Sequence, residues 1–257
     1  MTPRALFREA IDSMESGFRQ LEDGVQRPRV VKQGDGITFR YSEQTIHQAL
    51  LLKLARYISG LNACDVLLAN GYVQEQGVIQ RTLDELDEDI LFLCFGAQDG
   101  TVKLHRTYLK RFWQEEFEEG VAPIDNTKGR YHIPRREIRE WLGQKMGTFD
   151  DDPGMKAMRC IQQTYSGYVH AASPHIMDMC GGPELRFHLR GMNGTSRIPA
   201  HIHDLWNYVY RGLVSANQVA LIFGDEKTAT AWRAALTKYE QASGSSYMQD
   251  AAGGLRS

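Results

Sequence analysis

The stretch Ile79-Gln80-Arg81-Thr82-Leu83-Asp84-Glu85-Leu86-Asp87-Glu88-Asp89-Ile90-Leu91-Phe92-Leu93-Cys94-Phe95-Gly96-Ala97 decides the fold class. Ile79, Leu83, Leu86, Ile90, Leu93 and Ala97 recur at alternating steps of four and three. That period is one face of an α-helix, not a strand. Upstream, Ile46, Leu50, Leu54, Tyr57, Leu61, Cys64 and Leu68 form a second stripe, with Ser42 as its cap and Gly71 as its stop. Phe7, Ile11, Met14, Phe18 and Leu21 form a third, opened by Thr2-Pro3 and closed by Gly24. Downstream, the pattern predicts helices over 102–119, from Pro134 to Met146, and through Met158, Ile161, Tyr165, Tyr168 and Ala172 to Ser173-Pro174. Two more follow, one from Pro199 to Ala220 and one through Ala229, Trp232, Leu236 and Tyr239.

Only one segment reads as β. Val30 and Val31, then Gly34-Asp35-Gly36, then the alternating Ile37, Phe39 and Tyr41 predict a small hairpin. The expected fold is therefore all-α: an antiparallel helical bundle with a minor N-terminal β-hairpin. Residues 1–241 read as one helical domain, with a possible subdomain break at 150–154, and 242–257 as a flexible Gly/Ser/Ala tail. The segment from Gly181 to Ile198 reads as irregular.

Composition limits the function classes. The net charge of −2 argues against a general nucleic-acid binder held by net charge, though a local patch can still bind. Cys64, Cys94, Cys160 and Cys180 lie far apart with no CxxC pair and read as reduced thiols. No apolar run reaches the ~18 to 20 residues of a membrane span, and the N-terminus has no secretory h-region. The expectation is a soluble cytoplasmic protein without a membrane partner.

Five of the eight histidines, His170, His175, His188, His201 and His203, fall between Arg159 and Asp204. Arg159, Gln163, Ser166 and His170 repeat at four-three-four, about 150° from the apolar stripe of their helix. Ser166 and His170 are then neighbours one turn apart. The same face is also what an ordinary amphipathic helix turns to solvent. Arg81 and Glu85 are one turn apart and can pair. Phe92 and Phe95 further along their face place the pair at a buried margin, whereas the acidic run 84–89 reads as solvated. The basic stretch Lys128, Arg130, His132, Arg135, Arg136, Arg139, with Tyr131 and Trp141 interleaved, can hold phosphates and stack bases. The preceding Glu115, Glu116, Glu118 and Glu119 can also simply neutralise it. His201 and His203 point about 200° apart on a helix, and no HExxH or Cys/His finger spacing occurs, so no metal and no cofactor is expected. P-loop, Rossmann and nucleophile-elbow motifs are missing.

The run Arg81-Thr82-Leu83-Asp84-Glu85-Leu86, followed by Tyr165-Ser166-Gly167-Tyr168-Val169-His170-Ala171, resembles an uncharacterised bacterial family with an R-x-x-x-E helix and an S-x-x-x-H helix. Pro174-His175-Ile176-Met177 and Asp204-Leu205-Trp206-Asn207-Tyr208 fit the same pattern. That family is similar to the all-α HEPN group, and the resemblance spans 41–236. It implies an antiparallel helical bundle and, in some members, metal-independent RNA cleavage in defence or toxin systems. The arginine-to-histidine spacing of active HEPN ribonucleases occurs as Arg40 to His47 and Arg197 to His203, no more than the roughly two matches chance gives.

Two functions follow as expectations. One is a helical protein that binds a nucleotide, an RNA or a partner chain through a His/Arg/Glu pocket. The other is a metal-independent ribonuclease or phosphohydrolase. There His170 is the general acid/base, Arg81 the stabiliser of phosphate-like charge, and Glu85 its orienter. Ser166, Arg159, His175, Arg130 and Arg135 are the accompanying ligand-binding candidates. A homodimer is the remaining partner class.

Overall fold

The structure, a computed structural model, describes residues 2–33, 36–118, 121, 123–127, 129, 132–147 and 153–244, with the side chains of 33, 123 and 153–159 outside that description. Helix takes up 70% of the chain and, among the described residues, the strands form only two two-stranded ribbons, so the fold is all-α with a minor hairpin. Among the described residues no helix is long and apolar enough to cross a membrane.

Helix α1 (Pro3–Asp23) opens as predicted, with the Thr2 hydroxyl accepting from Ala5 N and Pro3 in the first turn. Strands β1 (Arg29–Gln33) and β2 (Gly36–Arg40) pair antiparallel with Val30 opposite Phe39. Helix α2 (Ile46–Ala69) starts later than Ser42 predicts. Thr45 and Gln48 close a reciprocal capping box, which satisfies two backbone donors where a lone serine satisfies one. Gly71, at φ +76°, turns the chain directly into α3 (Val73–Asp99). Helix α4 (Lys103–Phe112) stops seven residues before the expected end at 119. Continuing it would place Glu115, Glu116 and Glu118 at the negative end of the helix dipole. Glu115 instead pairs with Arg40 of the hairpin, and Trp113 packs edge-on to Tyr41.

Helix α5 (Arg135–Met146) ends on left-handed Gly147. Helix α6 (Pro153–Val169) ends before the expected Ser173-Pro174, because left-handed Ala171 (φ +50°) lets Ala172 N return to the Gly167 carbonyl. Ser173-Pro174 begins a further short helix, α7 (Ser173–Met177). The segment read as irregular holds a small ribbon, β3 (Cys180–Gly181) with β4 (Arg186–Phe187). Helices α8 (Ile198–Ile222) and α9 (Glu226–Ser243) complete the chain. Helix α9 runs two residues into the expected tail, of which 245–257 lie outside the described residues.

Helices α2, α3 and α8 pack on one another and form the centre. Helices α1 and α9 cover the α8 side, while α5 and α6 lie on α3. One hydrophobic cluster runs from Leu6 to Tyr239 and draws on residues from both sides of the 150–154 break. The α3–α6 contact is close, since a Cβ on Gly77 would stand 2.7 Å from the Tyr168 ring. Gly77 against Tyr168 and Glu88 against Gln162 set α6 antiparallel to α3.

Candidate functional site

Helix α3 carries its acids inward. Asp84, Asp87, Glu88 and Asp89 are all buried, which overturns the expectation of a solvated acidic run. The reason is tertiary: each carboxylate meets a cation brought from another helix, which removes most of the cost of burying it. Arg211 of α8 enters from one side and donates to Asp84 Oδ1 at 2.6 Å and Asp87 Oδ2 at 2.8 Å. Its guanidinium lies 5.2 Å from the Tyr208 ring centroid. On the other side Arg135 of α5 bridges Glu88 and Asp89, Arg139 donates to Glu88 at 2.8 Å, and Lys53 of α2 reaches Asp89 at 2.7 Å. Arg135 and Arg139 are therefore neutralised by α3, and not by residues 115–119 as the sequence suggested. Arg136 alone of the three stays exposed, paired with Glu140.

Next to this network lies a polar junction of α3, α6 and α8. Gln76 and Gln80 precede Asp84 at four-residue steps on one face of α3. Gln76 Nε2 donates to the His201 carbonyl of α8 at 3.1 Å. Gln80 is wholly buried, yet neither atom of its side-chain amide has a hydrogen-bond partner. Gln80 lies one turn from each of Gln76, which meets α8 at His201, and Asp84, which meets α8 at Arg211. Tyr165 packs edge-on to Tyr208, with centroids 5.8 Å apart. Gln76 Oε1, Asp84 Oδ2 and His201 Nδ1 are likewise buried without hydrogen-bond partners.

The electrostatics follow from this burial. Burial raises the Asp84 pKa against the pull of Arg211. Burial also lowers the His201 pKa, and the Asp204 carboxylate, 3.8 Å from its Nδ1, only partly opposes this. Burial and then the neighbouring Asp204 hold the Tyr165 hydroxyl protonated. At neutral pH the junction thus presents a neutral imidazole, phenols, amides and a carboxylate, a mixed set of donors and acceptors.

The sequence candidates fall on several surfaces. Arg81 pairs with Glu85 at 2.9 Å, with Arg81 largely buried and Glu85 facing outward, as the i,i+4 spacing predicts. Arg81 Nη1 is buried without a hydrogen-bond partner. His175 reaches the junction through Tyr168, their ring centroids 4.4 Å apart, while Tyr168 also faces His201 at 6.1 Å. His170 lies just past the end of α6 and is exposed. Its imidazole makes no hydrogen bond or ion pair among the described residues, and its only link to Ser166 is through the backbone, His170 N to Ser166 O at 3.0 Å. Tyr168 packs level with Gly77, about two turns before Glu85, and His170 lies two residues past Tyr168, beyond the end of α6. His170, Arg81 and Glu85 are thus not joined into one hydrogen-bonded set. Arg130 and the side chain of Arg159 lie outside the described residues. Among the described residues no group of three His, Cys, Asp or Glu side chains is gathered as a metal site requires.

Gln76, Gln80 and Arg211 escaped the sequence reading, and Asp84 and Tyr208 stood in it without a site role. A signal was present: Gln76, Gln80, Asp84 and Asp87 step by four, four and three directly beside the apolar stripe, with no lysine among them. No protein-family model, no curated protein and no solved structure matches this chain.

Proposed function

We propose that the chain binds a nucleotide, free or at the end of an RNA, in the α3–α6–α8 junction. The observation that carries this reading is the wholly buried Gln80 amide with both of its polar atoms unpartnered. A buried polar group left unpaired costs about 1–3 kcal/mol, so its retention points to a polar occupant. A primary amide offers a donor and an acceptor in one plane, which matches the edge of a nucleobase. Tyr165, Tyr168 and Tyr208 offer ring faces for stacking. Arg81, next to Gln80 in the sequence, has one buried guanidinium nitrogen without a partner, which a phosphate oxygen can take. Helix α6 is the cover: its backbone packs mainly on α3 and it meets α8 through the Tyr165–Tyr208 and Tyr168–His201 ring pairs, so it can swing away from α8 to admit the ligand. The resemblance of the Arg81 and His170 segments to a HEPN-like family points the same way. The hydrolase reading needs His170 beside Arg81 and Glu85, and the missing hydrogen bond or ion pair between its imidazole and either of them among the described residues weighs against that.

The test is thermal unfolding of the wild type and of Gln80→Leu with AMP, GMP, CMP, UMP and a short RNA. A nucleotide at a hundred times its Kd stabilises by about 2.7 kcal/mol. The expected result is a raised melting temperature with one or more ligands, lost in Gln80→Leu. No shift with any ligand, or an undiminished shift in the variant, overturns the reading.

A further inference from the structure

The hairpin turns an apolar face to solvent. Cross-strand partners share a face, so Val30, Lys32, Ile37 and Phe39 stand together on one side of the β1–β2 ribbon. Val30, Ile37 and Phe39 are 62%, 67% and 58% exposed. The opposite face, with Val31, Thr38 and Arg40, is half-buried, and Arg40 ties it to Glu115. The apolar residues are therefore not left over from packing against the bundle. Among the described residues no backbone hydrogen bond reaches the outer edge of either strand. Beside Arg40, which Glu115 already pairs, residues 27–40 carry three further cations, Arg27, Arg29 and Lys32, against the single carboxylate of Asp35, in a chain whose net charge is −2.

We infer that this ribbon is a docking site for an extended acidic peptide segment of a partner protein, which adds as a third strand. Open strand edges supply backbone hydrogen bonds, and alternate side chains of the peptide cover the apolar face. A two-stranded ribbon is marginal alone, so a third strand stabilises it as well as the complex. The cations select an acidic sequence. A second copy of this chain would bring the same cations against themselves, and a bilayer would leave the strand edges unpaired. The inference is independent of the nucleotide site.

The probe is a fluorescein-labelled ten-residue peptide alternating glutamate with valine or isoleucine. Its control keeps the five glutamates and carries proline in place of two of the five valine or isoleucine residues. Anisotropy titrations are run on the wild type, on Ile37→Thr/Phe39→Thr and on Arg29→Glu/Lys32→Glu. Both double variants change only exposed side chains, and circular dichroism confirms their fold. The expected result is saturable binding by the wild type, weakened about tenfold or more in each double variant, with no binding of the proline control. Four outcomes overturn the inference. The wild type fails to bind, or the proline control binds as well. Alternatively, phosphatidylserine vesicles bind in place of the peptide. Finally, sedimentation shows a dimer that Ile37→Thr/Phe39→Thr dissociates, which would give the face to a second copy.

Discussion

Arg211 enters the core from α8 between two carboxylates of α3, and its side chain is only 23% exposed. Asp84 and Asp87 are buried around it, and Ser215 also donates to Asp87. Arg211→Leu strands both carboxylates in a low-dielectric site, so the expected loss of stability is about 3–5 kcal/mol. Adding Asp84→Asn and Asp87→Asn should recover most of it, because the charges then vanish together. Urea unfolding measures both, and a mild effect of Arg211→Leu alone would show that the network is open to water. His170→Ala is the contrasting case. The residue is exposed and its ring has no partner among the described residues, so less than ~1 kcal/mol should be lost. Its residue type singled it out in the sequence, but burial and partners decide its structural weight. Arg211 drew no notice there, because nothing in a chain of letters says that an arginine on α8 faces aspartates more than a hundred residues away.

At the scale of the element, the apolar stripes were legible and the ends were not. The Phe7 to Leu21 stripe is buried throughout, as are Leu83, Leu86, Ile90 and Leu93, because a 3.6-residue period can bury one face only as a helix. Ends depend on competition between nearby caps. Thr45 wins over Ser42 because Gln48 stands at the position that completes the box. Thr45→Ala is therefore expected to cost about 1 kcal/mol and Ser42→Ala close to nothing. Chemical denaturation of the two variants tests this, and an equal cost for both would show that the helix starts at Ser42 after all. The stop of α4 at Phe112 and the left-handed Ala171 behave in the same way. Each is a local choice made by what the next residues do elsewhere, Glu115 with Arg40 in one case and α7 beginning afresh in the other.

Across the whole molecule, two buried histidines make the fold sensitive to acid. His105 is fully buried, stacked on Phe92 at 4.0 Å, with Nδ1 accepting from Val102 N and Nε2 donating to the Phe92 carbonyl. Burial lowers its pKa, as it does that of His201. The unfolded chain then binds more protons than the folded one below about pH 6.5. Stability is fully present above that value and declines as the pH falls toward the folded pKa values. Urea midpoints at pH 7.5, 6.0 and 5.0 should decrease in that order, and the decrease should flatten in His105→Gln/His201→Gln. A wild type equally stable at pH 5.0 and 7.5 contradicts the assignment. The sequence by itself determined the helical class, the positions of the helices and the single N-terminal hairpin, because hydrophobic period is a local property that any packing must respect. Only the tertiary structure decided that the acidic face of α3 is interior and that the Gln80 amide lies buried without a hydrogen-bond partner. It also left the His170 imidazole unpaired with Arg81 or Glu85 among the described residues. Each of these rests on which helices meet and in what register, and pairing across long stretches of chain leaves no periodic trace in the sequence.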